Sequence, residues 1–215
     1  MSLTAWGRLS SINVQKVMWA LDEIGLAYQH VPAGGPFGLL DTDAFLAMNP
    51  HGWVPVIDDD GTVVWESGAI LRYLTAAYSQ DVLWPADPRQ RARADQWMEW
   101  NQTTLQPHLM GFFWGWYRTP EGRRDDTRNA QLLAATADDL FKLDALLANR
   151  PYVAGDHLTM GDLPSGTLLY RWFEMDIERP ALPHVEAWYA RLRARPAYAR
   201  QVMRPFDDLK GRLAF

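Results

Sequence analysis

Two short stretches carry residue types that could grip a small charged molecule. Asn49-Pro50-His51-Gly52-Trp53-Val54-Pro55 places a proline at the mouth of a strand, and Trp65-Glu66-Ser67-Gly68-Ala69-Ile70 places an acid and a hydroxyl at the start of a helix. A carboxylate such as Glu66 pairs with an ammonium. A serine at a helix N-terminus offers its hydroxyl and a backbone N–H to an anion, where the helix dipole also favours negative charge. A main-chain edge at Val54 adds donors and acceptors of the kind that pair with an extended peptide. Together these groups suit a zwitterionic, peptide-like ligand. The alternative is that Glu66 and Ser67 form only a strand end and an N-cap, but an acid set before the cap has little capping use. A second polar cluster, Ser10-Ser11-Ile12-Asn13, offers several helix caps near the N-terminus.

The elements that must position these groups follow from periodicity. Leu3 to Trp6 reads as a strand. Val14, Val17, Met18, Leu21 and Ile24 recur at helical spacing, with Gly25 as the stop. Tyr28 to Val31 reads as a strand, residues 33–38 as loop, and Asp43 to Met48 as a short helix. Val54 to Ile57 and Thr62 to Trp65 are predicted strands joined through Asp58-Asp59-Asp60-Gly61, and Ser67 opens a helix carrying Ile70, Leu71, Tyr73, Leu74 and Ala77. Asp87-Pro88 supplies an N-cap and a proline at N1, and beyond it only helical patterns occur. These are about 88–117, about 126–149, a capping box Thr159-Met160-Gly161-Asp162 flanked by Leu158 and Leu163, then 183–194 and 196–203. The expected organisation is an α+β domain over 1–78, a linker over 79–87 and an all-α domain over 88–215.

Composition narrows the chemistry. A formal charge of −5 leaves no basic footprint for nucleic acid. No run of 18 apolar residues marks a membrane span, and the opening Met1-Ser2-Leu3-Thr4 has neither part of a signal peptide. With no cysteine there is no disulfide, no thiolate metal site and no cysteine nucleophile. The five histidines are scattered without ligand spacing, so no metal is expected. A cytoplasmic setting fits.

In order and spacing the chain resembles the cytosolic glutathione S-transferase family. The matching stretches are Trp6-Gly7-Arg8 with Ser11-Ile12-Asn13-Val14-Gln15-Lys16-Val17, then Asn49-Pro50 with Gly52 and Val54-Pro55, then Trp65 to Ile70 with Arg72-Tyr73-Leu74, and the Thr159 to Asp162 box. The opening is similar to bacterial members beginning W-G-R-x-x-S-x-N-V-x-K-V, and its S-x-N to the plant phi class. The resemblance implies a thioredoxin-like N-terminal domain with a mixed four-stranded sheet, an all-helical C-terminal domain and a homodimer. Glutathione is then the co-substrate, a small hydrophobic electrophile its acceptor, and no further cofactor is needed.

Carried onto this sequence, the family's pattern makes Glu66 and Ser67 the partners of the γ-glutamyl end and Val54-Pro55 a cis peptide beside the cysteinyl part. Trp53 departs from the polar residue common in relatives, which leaves it a backbone or packing role. Ser11 is the expected catalytic residue, with Asn13 sharing the thiol contact and Ser10 as rival. A hydroxyl donating to sulfur favours the thiolate, and lowering a thiol pKa from near ~8.5 by about two units corresponds to about 2.7 kcal/mol. The alternative for Ser11 is simple capping. Arg8, Phe113, Trp114, Tyr117 and Arg118 are the expected electrophile pocket, against a competing reading of the aromatic run as core and of Arg118 as a solvated helix end. The Thr159–Asp162 box is read as structural. A non-catalytic protein that binds glutathione or hydrophobic ligands on the same fold is the alternative function.

Overall fold

The computed structural model describes residues 2–79 and 82–213. The chain divides into two compact units, one comprising 1–84 with 196–204 and the other 85–195 with 205–215.

The first unit is built on β1 (Leu3–Trp6), α1 (Ile12–Ile24), β2 (Gln29–Val31), α2 (Asp43–Met48), β3 (Val56–Asp59), β4 (Thr62–Trp65) and α3 (Ser67–Tyr78). The strands form a four-stranded sheet in the order β2-β1-β3-β4. β1 runs parallel to β2, with Ala5 opposite His30, and antiparallel to β3, with Ala5 opposite Ile57. This is the thioredoxin-like sheet expected. β3 starts two residues later than the expected strand, because Pro55 has no N–H to give a ladder. The β3–β4 hairpin turns at Gly61, whose φ is 91° and whose N–H donates to Asp58 Oδ1 at 2.7 Å. α1 stops where Gly25 takes φ 79° and Leu26 N–H reaches back to the Leu21 carbonyl at 3.0 Å. Burial of Val14, Val17, Met18, Ala20 and Leu21 holds α1 in place.

The helix α9 (Pro196–Gln201) also belongs to this unit, which corrects the expectation that all of 88–215 forms one helical body. Trp19 of α1 meets Tyr198 edge-on, and Asp22 of α1 accepts from Arg200 Nε at 2.6 Å and Gln201 Nε2 at 2.8 Å. Its amphipathic pattern is compatible with either unit, so sequence alone could not choose.

The second unit is all-helical. Its first helix is long and is interrupted by two wide turns: α4 (Pro88–Trp100), residues 101–105, α5 (Gln106–Phe112), and residues 113–118. The wide turn at its end closes with the Thr119 N–H on the Trp114 carbonyl, five residues back, at 3.0 Å. Then come α6 (Asp126–Leu147), α7 (Asp162–Glu174) and α8 (Pro183–Arg193). Asp87 and Asp125 cap α4 and α6 by accepting from Arg89 and Arg128 N–H groups. α7 is the buried central helix. The sequence marked its start but not its extent, because Pro164, Ser165, Gly166 and Thr167 obscure its pattern. Asp162 holds that start, accepting from the Thr159 N–H at 2.9 Å and the Val153 N–H at 3.0 Å. Gly161 lets α7 approach α4, since a Cβ there would lie 2.6 Å from the Ala94 carbonyl oxygen. Among the described residues no helix is long and apolar enough to cross a membrane.

Candidate active site

In the first unit, the site residues sit on the loops that lead into α1, β3 and α3. β1 ends at Gly7, where φ is 153° and an added Cβ would lie 2.4 Å from Val14 Cγ2. Only glycine lets α1 pack this close to the strand it follows. Ser11 takes the N-cap position of α1, with φ −79° and ψ 124°. Its N–H donates to the Arg8 carbonyl at 3.0 Å and its carbonyl accepts from the Gln15 N–H at 2.9 Å. Its hydroxyl makes no capping hydrogen bond, so the helix does not use this potential donor to a ligand. This disfavours the reading of Ser11 as a simple cap.

Asn13 is the second residue of α1, and its Oδ1 accepts from Lys16 Nζ at 3.0 Å. Lys16 is buried, with 1% of its surface exposed. Burial pushes its ammonium down to a pKa of about 7, against the pull of the Glu66 carboxylate in the opposite direction. Lys16 is the functional candidate that sequence reasoning passed over. The available signal was a lysine set between Val14 and Val17 on a helix whose neighbours are nearly all apolar. Arg8 is half-buried, with its guanidinium beside Gly34 and its pKa lowered by burial.

The approach to β3 is built by Asn49, which is buried. Its Nδ2 donates to the Trp53 carbonyl at 2.9 Å and its Oδ1 accepts from the His51 N–H at 3.1 Å. The Val54–Pro55 peptide is cis. Among the described residues no hydrogen bond engages the Val54 amide or carbonyl. The Trp53 side chain is 70% exposed and near His51, so its indole has no core packing role. Glu66 lies at the head of α3 in the left-handed region, φ 69°, a conformation that costs a non-glycine residue about 1–3 kcal/mol. Its carboxylate makes no capping bond and is exposed, whereas Ser67, the first residue of α3, is buried. The fold thus brings together Ser11 with Asn13 on α1, and Glu66 with Ser67 on α3, within one unit.

The expected electrophile pocket is redistributed in the second unit. Phe113 and Tyr117 are core residues, packed with Phe112, Met175, Phe206 and Leu209. Arg118 is neither a pocket wall nor a solvated helix end. It is 2% exposed, its Nε donates to the Arg212 carbonyl at 2.8 Å, and its guanidinium lies 3.8 Å from the centroid of the Trp114 ring. The cause is the C-terminal segment, which folds back so that the Gly211 N–H reaches the Tyr117 carbonyl at 3.0 Å. Trp114 alone of these helical residues faces open space. It lines a cleft of about 450 Å³ with Met110, Leu132, Arg123 and Arg128.

A four-stranded thioredoxin-like sheet followed in the chain by an all-helical unit defines the fold class of this protein. The family model of the glutathione S-transferase N-terminal domain matches residues 1–76, and that of the C-terminal domain matches residues 105–196. The chain is 39% identical over 206 residues to glutathione S-transferase GstB of Escherichia coli, covering 94% of this chain and 99% of that one. It is 31% identical over 202 residues to glutathione S-transferase 4 of Zea mays, covering 91% and 90%. The crystal structure of a theta-class glutathione S-transferase from Xanthomonas axonopodis pv. citri, with glutathione bound, superposes with a TM-score of 0.90 at 49% identity, over 94% of this chain and 98% of that one. The chain belongs to the glutathione S-transferase family and is an enzyme of that family.

Proposed function

We propose that this enzyme binds glutathione on its first unit and activates the thiol as thiolate through Ser11, for attack on small hydrophobic electrophiles. The observation that carries this reading is the Ser11 hydroxyl, placed at a helix N-terminus but not used to cap it. A donor there stabilises the anion on sulfur, and the N-terminal end of the helix dipole adds positive potential. The nucleophile belongs to the substrate, which agrees with a chain that has no cysteine. In this reading Glu66 takes the ammonium of the γ-glutamyl end, Ser67 its carboxylate, and the Val54 amide and carbonyl the cysteinyl backbone. Trp53 contributes through its main chain, and Asn13 helps hold the sulfur. A cytoplasmic homodimer that needs no metal is part of the same proposal.

The test is turnover of a chloro-dinitro-aromatic acceptor together with calorimetry of glutathione binding. The expected result is turnover in the unmodified enzyme, and its loss in Ser11→Ala with glutathione affinity kept. Binding without turnover in the unmodified protein would instead favour a non-catalytic carrier. Full activity in Ser11→Ala would assign the thiol contact to another group.

A further inference from the structure

A fully buried lysine needs a reason, because burial disfavours its charged form. Lys16 Nζ donates to Asn13 Oδ1, and because an ammonium can only donate, the protonated form of Lys16 fixes which half of the Asn13 amide is oxygen. The NH₂ half is then turned away from Lys16 and becomes the donor side of Asn13. We propose that Lys16 is a positioning residue for the glutathione thiol, orienting the Asn13 amide as a donor to sulfur and supplying the buried counter-charge for the thiolate. This rests on the reading of Ser11 and Asn13 as the partners of the thiol.

The chemistry balances without a further reactant. With its pKa lowered to about 7, Lys16 is partly neutral near neutrality. When the bound thiol releases its proton to solvent and Lys16 takes one up, the site gains no net charge. The two ionisations are therefore coupled, and coupling is reciprocal: the thiolate raises the proton affinity of Lys16 by the same factor that protonated Lys16 favours the thiolate. α3 and α9 are the helices packed against α1. From these surroundings Glu66, at the head of α3, is the charge that acts on Lys16. Arg200 and Gln201 of α9 engage Asp22 further along α1, and Arg72 of α3 lies beside Gly68.

The chain has three lysines, and Lys142 and Lys210 are exposed, so carbon-13 labelling of lysine side chains resolves Lys16 by NMR in the intact enzyme. The expected result is a Lys16 midpoint far below the other two, raised by about one unit on saturation with glutathione. S-methylglutathione, which has no thiol, leaves it unmoved. In Lys16→Met the ultraviolet thiolate signal of bound glutathione titrates about one unit higher, and the glutathione Kd changes by less than about threefold. A Lys16 midpoint that glutathione does not move, while Ser11→Ala still raises the thiol pKa, would overturn this proposal and leave the proposed function standing. Absence of glutathione binding to the unmodified enzyme would overturn both. Should Lys16→Met not fold, the NMR comparison in the unmodified protein decides by itself.

Discussion

Tyr198 packs edge-on against Trp19, with ring centroids 4.9 Å apart and planes at 83°. Both rings are fully buried, and the contact ties α9 to the first helix of the chain. Replacing Tyr198 with alanine leaves a cavity over α1, and truncating a large buried aromatic costs about 3–5 kcal/mol. Urea unfolding of Tyr198→Ala should show a lower midpoint with an unchanged slope. A midpoint equal to that of the unmodified protein would mean that α9 contributes little to the first unit.

Ser11→Ala should change the pH dependence of turnover as well as its size. If the hydroxyl lowers the bound thiol pKa by about two units from near ~8.5, the acid limb of kcat/KM for the acceptor at saturating glutathione moves up by that amount when it is removed. The loss then approaches about a hundredfold below the unshifted limb, under about pH 6.5, and shrinks towards pH 9 or so, where any thiol ionises unaided. A uniform loss at every pH would point to positioning instead of thiol activation.

Lys16 should lower stability while serving the site. Its folded pKa of about 7 lies below the ordinary value of 10.5. Between these values the unfolded chain binds more protons, so stability rises as pH rises through that window. The penalty is full below about 7 and gone above about 10.5. Lys16→Met should therefore be more stable than the parent by a few kcal/mol below neutrality, with the gap closing as pH increases. Denaturant midpoints of both proteins across this range give the comparison, and a gap that widened with pH would refute a depressed lysine.

Asp162 should be among the costliest residues to lose outside the site. Asp162→Ala strands the Val153 and Thr159 N–H groups inside the helical unit, both of which the carboxylate now satisfies. Hydrogen bonds to a buried charged group are worth about 1.5–3 kcal/mol each, so the expected loss is about 3 kcal/mol or more. Thermal unfolding checks this, and a Tm within a degree or so of the parent would show that water replaces the carboxylate.

Short-range signals in the sequence determined most of the first unit and its candidate site. Gly25 and Gly61 stop a helix and turn a hairpin through their own φ values, and Glu66-Ser67 heads α3 because a strand ends immediately before it. Each of these signals acts over a few residues, so each could be read from the chain alone. Only the tertiary structure decided which side chains lose contact with water. Phe113, Tyr117 and Arg118 follow a pattern that suits either a pocket wall or a core. They became core because a segment about a hundred residues away returns to cover them, bringing the Arg212 carbonyl to Arg118. Lys16 is ordinary in sequence and unusual in space, because α3 and α9 cover α1 on faces that a helical pattern leaves unspecified. Burial is a property of distant segments meeting, and it sets the charge state of that lysine.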